Sequence, residues 1–185
     1  MEQNQENKIL IHACCGICSA YPILNLRELG YEPVVYFFNP NIYPDFEYEK
    51  RLEMERILCN YHKCELIVGE YNQDFYFDAV KGLENEPERG KRCEVCFRIR
   101  LEETAKKAKE LKIDAFTTSI VISPHKNFAL LSKIGENIAK KYDLNYLAVD
   151  FKKKDGFLKT NRISKELNLY RQNYCGCKFS IRTDS

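Results

Sequence analysis

The chain has 185 residues, 44% apolar and 30% charged, a composition that excludes disorder, collagen and coiled coil as global descriptions. At this length one domain with a real core is expected, with no need of disulfides to fold. The net charge of +2 is unevenly spread: residues 151–185 hold nine Lys/Arg against three Asp/Glu, and the other 150 residues carry −4.

A basic terminal segment on a near-neutral body points to an anionic partner, phosphate or nucleic acid. A solvated lysine-rich surface accounts for the same numbers. No apolar run approaches the roughly 18 residues of a membrane span. The N-terminal MEQNQENK lacks the apolar core of a signal peptide. A cytoplasmic location without a membrane partner is therefore expected. Nine cysteines in a reducing compartment argue for metal ligation or redox chemistry over a disulfide framework.

In chain order, a polar N-terminus (1–7) precedes KILIHA (8–13), which reads as a buried strand. Helical apolar spacing over 19–29 stops at Gly30. PVVYFF (33–38) is a second strand. NPNIYPD is dense in turn formers and leads into a charged helix over about 46–61. ELIV (65–68) is a third strand, 73–81 a short helix, 84–90 a polar loop and 92–111 a long helix. AFTTSIVI (115–122) is a fourth strand running into SPHKN. Residues 126–141 form a helix, NYLAV (145–149) a fifth strand and 157–168 a last helix, before the end YCGCKFS and a tail (181–185).

Strands alternating with helices predict an α/β fold: a single catalytic domain over 8–180 with a mainly parallel, Rossmann-like sheet, helices on both faces and a cysteine-rich basic C-terminal segment. Ligands of such sheets bind beyond the carboxyl ends of the strands. HACCGICS, NPNIYPD and SPHKN share that edge. No GxGxxG or GxxxxGK[ST] follows the first strand, which disfavours dinucleotide and P-loop chemistry.

Seven cysteines fall in three groups. Cys14, Cys15 and Cys18 lie where a strand meets a helix N-terminus, whose positive end favours thiolate. Gly16 would let the backbone approach a bulky ligand. Cys93 and Cys96 open the long helix on one face, with Lys91, Arg92 and Arg98 around them. Two such clusters at one sheet edge supply four thiolates, enough for tetrahedral zinc or a 4Fe–4S cluster, and spacing does not choose between them. Cys175 and Cys177 are separated by one glycine. A disulfide there closes a small, easily reduced ring, which suits a redox-active pair, although either sulfur could instead ligate a metal. Cys59 and Cys64 read as apolar core residues.

Other candidates lie on the loops. His125, Lys126 and Asn127 in SPHKN, with Asn39, Asn41, Tyr43 and Asp45 in the facing loop, could meet phosphate or substrate. His12 reads as a satisfied strand-end residue, and Asp45 has an adequate role as a turn and cap residue.

HACCGICS, NPNIYPDFEYEKR, RCEVCFRIRLEETA, TTSIVISPHKN and ELNLYRQNYCGCKFS together resemble the QueH family, the cobalamin-independent epoxyqueuosine reductases, over residues 8–180. Gly16–Ile17 departs from the Ala-Pro that many members carry. The resemblance implies an oxidoreductase of queuosine biosynthesis in tRNA processing. The epoxide of epoxyqueuosine, at the anticodon wobble position, is reduced to queuosine by two electrons and two protons. It also implies a 4Fe–4S cluster on Cys14, Cys15, Cys93 and Cys96, an adjacent single iron with Cys18 as candidate ligand, no cobalamin, and Cys175/Cys177 as the redox pair. The partners are then tRNA and an unidentified electron donor. Substrate contacts are expected at His125, Lys126, Asn127, Asn39, Tyr43, Lys153 and Arg162, with Lys152, Lys154, Arg171, Lys91 and Arg92 as further phosphate contacts and Tyr170 or Tyr174 for stacking. Two other classes share part of the pattern. A nucleotide-dependent tRNA thiolation enzyme would need the phosphate loop that is missing after the first strand. A zinc-stabilised nucleic-acid-binding module would lack iron and colour.

Overall fold

The computed structural model describes residues 7–181. The expected N-terminal segment and tail therefore fall outside the described residues, except Asn7 and Ile181. Five parallel strands form one sheet: β1 (Lys8–Ala13), β2 (Glu32–Phe37), β3 (Leu66–Val68), β4 (Ala115–Thr118) and β5 (Asn145–Tyr146), in the order β3-β2-β1-β4-β5. β1 is central, with Leu10 opposite Val34 on one side and Phe116 on the other. It is covered on both faces, so Ile9, Leu10 and Ile11 are all fully buried, which explains an apolar run without alternation.

The helices are α1 (Gly16–Glu28), α2 (Asp45–His62), α3 (Gln73–Ala79), α4 (Lys91–Leu111), α5 (Phe128–Tyr142) and α6 (Gly156–Glu166). Strand order steps one way from β1 to β3 and the other way from β4 to β5. Right-handed crossovers then put α1 and α2 on one face and α4 and α5 on the other. The contacts agree: α1 packs on α2 and α6, and α4 on α5. The chain reverses direction between β1 and β4, and a crevice opens there beyond the strand ends.

Three elements differ from expectation by three residues or more at one end. The fourth strand ends at Thr118, and Ser119–Ile122 tightens into a 3₁₀ turn whose Ile120 N–H donates to Thr118 Oγ1 at 3.2 Å. The last ladder pair is His12–Thr118; past it β1 turns into α1, so Ile-Val-Ile has apolar neighbours but no strand to pair with. The fifth strand is two residues long for a similar reason, as Leu147 N–H already meets the end of its ladder on Phe116 O. α1 starts three residues early, at Gly16, and tolerates Pro22 within it. Cys18 thus lies inside its first turn.

Candidate active site

The end of β1 delivers Cys14, and Cys15 caps α1 in an extended conformation. With Cys18 on the first turn, the three sulfurs lie within 4.8 Å of one another. Cys15 and Cys18 Sγ are 3.1 Å apart, and the Gln172 amide donates to Cys15 Sγ at 2.9 Å. Hydrogen bonds from Cys14 and then Cys18, with the Arg51 charge nearby, pull the Cys15 thiol well below its usual range. The two donors are pushed up in return, Cys14 chiefly by Cys15 and Cys18 chiefly by Cys14. Three sulfurs this close could hold a metal ion.

Cys93 and Cys96 sit on the first turns of α4. Arg89 N–H donates to Cys93 Sγ at 3.2 Å. Burial raises both thiols, Cys96 to about 12. They lie outside the 4.8 Å group, which among the described residues contains Cys14, Cys15 and Cys18 alone. Arg100 links the two sets. It is buried, with Nε on Cys96 O at 3.2 Å and Nη1 on Asn39 Oδ1 at 3.4 Å, and no carboxylate among the described residues pairs with it. Burial opposes its charge, but the sulfurs of Cys96, Cys14 and Cys175 hold its pKa raised. Arg100 also lines one cavity with Cys14, Cys18 and Cys175.

Cys175 is half-buried and Cys177 buried. Lys126 Nζ donates to Cys175 Sγ at 3.1 Å. Cys177 packs with Tyr76, Val80 and Cys96. The flanking aromatics anchor the loop: the Tyr174 hydroxyl bonds Tyr43 O, and Phe179 lies under the Arg92 guanidinium at 4.8 Å.

A cavity of about 410 Å³ lies over the crevice, with Cys14, Cys18, Cys175, Arg100, Lys126 and Phe157 in its walls. A second, of about 280 Å³, holds Cys93 and shares Arg89, His125 and Lys126 with the first. His125 and Lys126 thus stand where the sequence puts substrate contacts. Asn127 lines the smaller cavity beside them and also caps α5, accepting from Leu130 N–H at 3.1 Å. Asn39 is buried, and its amide donates to Ala13 O at 2.8 Å. Tyr43 holds the CGC loop through its backbone. Lys153 and Arg162 are exposed and outside both cavity walls, near or on α6, while Arg171 lines the larger cavity. Arg92 is buried and spent on the carbonyls of Leu83, Glu84 and Glu86. Tyr170 and Tyr174 are engaged with Glu47 and Tyr43. Asp45 opens α2 and accepts from Tyr71.

Gly16 meets protein, not ligand: a Cβ there would come 2.6 Å from Met54 O. His12 is buried between Thr118 Oγ1 and Phe38 O, and burial with the Arg100 charge holds it neutral, at about 3. Cys59 is buried and Cys64 half-buried, as core residues. Arg51, Arg89 and Arg100 are missed by the sequence reading. Arg100 had one signal, its position four residues after Cys96 on the same helical face.

The class defined here is a parallel α/β protein whose switch-point crevice carries a three-cysteine group that could hold a metal ion. A family model described as Epoxyqueuosine reductase QueH matches residues 9–183. The epoxyqueuosine reductase QueH of Streptococcus pyogenes serotype M1 is 38% identical over 180 residues, covering 94% of this chain and 70% of the relative. That of Thermotoga maritima is 37% identical over 176 residues, covering 94% and 90%. The chain belongs to the epoxyqueuosine reductase QueH family and is an oxidoreductase. A structure of a predicted subunit of a tRNA methyltransferase from Methanocaldococcus jannaschii superposes with a TM-score of 0.55 at 15% identity, over 83% of this chain and 76% of that one, and shares the fold.

Proposed function

We propose that this protein reduces the epoxide of epoxyqueuosine in tRNA to queuosine, the last step of queuosine synthesis. The observation that carries the reading is the family match over nearly the whole chain, with the Cys14, Cys15 and Cys18 sulfurs gathered within 4.8 Å at the crevice. The donor set fits an iron–sulfur group: soft thiolates select such clusters, and Arg100 is a buried cation whose neighbours are sulfurs rather than carboxylates. Cys14, Cys15, Cys93 and Cys96 would hold a 4Fe–4S cluster, Cys18 a neighbouring single iron, and no cobalamin takes part. When bound, these groups supply single electrons and a Lewis acid for the epoxide oxygen.

The chain's own residues do the rest. Arg100 offsets the negative charge of the sulfurs. Gln172 holds the Cys15 sulfur by its amide. Ile120, Ile122 and Phe157 give the cavity an apolar wall that limits water. Lys126 orients Cys175. The Cys175/Cys177 dithiol balances the reaction: two thiols become one disulfide, and two electrons and two protons convert the epoxide to an alkene and water. An external donor then restores the dithiol. Arg171 at the cavity, with Lys153 and Arg162 beyond it, meets the anticodon-loop phosphates. A tRNA substrate places the reaction in the cytoplasm, and no helix among the described residues is long and apolar enough to cross a membrane. The test is an anaerobic assay on epoxyqueuosine-containing tRNA with a low-potential reductant. Loss of one oxygen from the nucleoside, read by mass, is expected; an unchanged mass overturns the reading.

A further inference from the structure

The Cys175–Gly176–Cys177 loop has no regular structure of its own, yet it is tied down at every residue. Arg51 of α2 is 2% exposed, and three of its nitrogens are engaged. Nε donates to Glu47 Oε1 at 2.7 Å, Nη1 to Cys175 O at 3.0 Å and Nη2 to Tyr174 O at 3.1 Å. The second oxygen of Glu47 accepts from the Tyr170 hydroxyl at 3.1 Å. Tyr43 N–H donates to Gly176 O at 2.8 Å. Gly176 has φ +120, and a Cβ there would stand 2.8 Å from Arg51 Nη1, so only glycine lets the loop lie on the guanidinium. One turn further along α2, the Met54 backbone abuts Gly16 of the N-terminal cysteine group, and Tyr170 N–H points at Met54 Sδ at 3.1 Å.

From this we infer that Arg51, fixed by Glu47, is the positioning residue for the Cys175/Cys177 pair, and that α2 is the shared reference against which both cysteine groups are placed. Arg51 touches neither reacting sulfur. It sets the direction of both by holding the backbone on either side of Cys175. Lysine cannot replace the fork, since one ammonium does not reach two carbonyls and a carboxylate in a plane. The link to turnover rests on the dithiol reading; the clamp itself does not.

The test is pulsed alkylation of the full chain, purified anaerobically and kept reduced, with iodoacetamide and mass mapping of each cysteine. Cys59 lies on α2 and is buried, so it reports whether the helix itself has opened. In the parent protein Cys175 labels ahead of Cys177. Arg51→Met is expected to speed Cys177 labelling by about tenfold or more through local opening, with Cys59 unchanged. Glu47→Gln should give a smaller rise, and Arg51→Lys an intermediate one. The same variants should lower kcat with KM for tRNA unchanged. Unchanged Cys177 labelling in Arg51→Met overturns the clamp. If that variant also opens Cys59, Gly176→Ala decides: Cys177 opened over a closed Cys59 supports the clamp, and both closed overturns it. A Cys177 that opens with turnover intact upholds the clamp and removes the dithiol from the reaction.

Discussion

The N-terminal and C-terminal cysteine groups solve the same problem by different means. Cys14, Cys15 and Cys18 are placed by secondary structure: a strand end, a cap and a first helical turn leave the sulfurs little choice of position. Cys175 and Cys177 are placed by borrowed side chains, Arg51 from α2 and Lys126 from the loop before α5. The first is set mainly by elements local in sequence, the second by residues up to 124 positions away.

Serine at each group breaks the comparison most sharply. Cys15→Ser should lose bound iron and turnover together, by about a hundredfold or more, since even outer-shell changes cost 10–100-fold in metal affinity; iron content and visible absorbance are the measurements. Cys175→Ser and Cys177→Ser should keep the colour and stop turnover. Full activity of both with a chemical reductant would end the division of roles. Next in size is Arg100→Met, which leaves buried thiolate charge unpaired. It should destabilise the loaded protein by roughly 3–5 kcal/mol, the range for a broken buried pair, read by chemical denaturation.

Docking of the tRNA backbone on the basic face should respond to salt instead. Affinity for tRNA is expected to fall about tenfold between roughly 50 and 200 mM salt. A flat titration would remove the basic face from recognition. The smallest effect concerns Glu55, buried on α2 beneath the N-terminal group, where Ser19 Oγ donates to it at 3.2 Å. Burial, then the charge of Cys15, raises its pKa from 4.5 to about 8. The raised value means the folded state holds the proton more tightly. Its contribution to stability is full below about 4.5 and is lost as pH rises through about 8. Glu55→Gln should flatten the stability profile across that window in denaturation curves taken at several pH values.

How far the sequence carried follows the same divide. The parallel sheet and the first cysteine group were legible because apolar runs, turn residues and cysteine spacing are local signals. Cys59 and Cys64 were likewise read as core residues from their neighbours, and His12 as a satisfied strand-end residue. Arg51 was not legible: Glu47 and Arg51 sit four apart on a charged helix, the pattern of a solvent-facing pair, and only a partner 124 residues away buries them. Turn-rich loops at the strand ends suggest ligand contacts and do not show the structural contacts found there: the Asn39 amide closes β1 and the Tyr43 backbone holds the C-terminal loop. The Ile-Val-Ile run showed apolar character but not the absence of a neighbouring strand.

Gly16 has a consequence for how this sequence can drift. A single methyl at position 16 would push into the carbonyl of Met54, and the helix bearing Met54 also bears Arg51. A change at 16 therefore cannot be absorbed locally. It must be accompanied by a shift of that helix, and so by a new spacing between the Cys14–Cys18 group and the Cys175 loop that Arg51 holds.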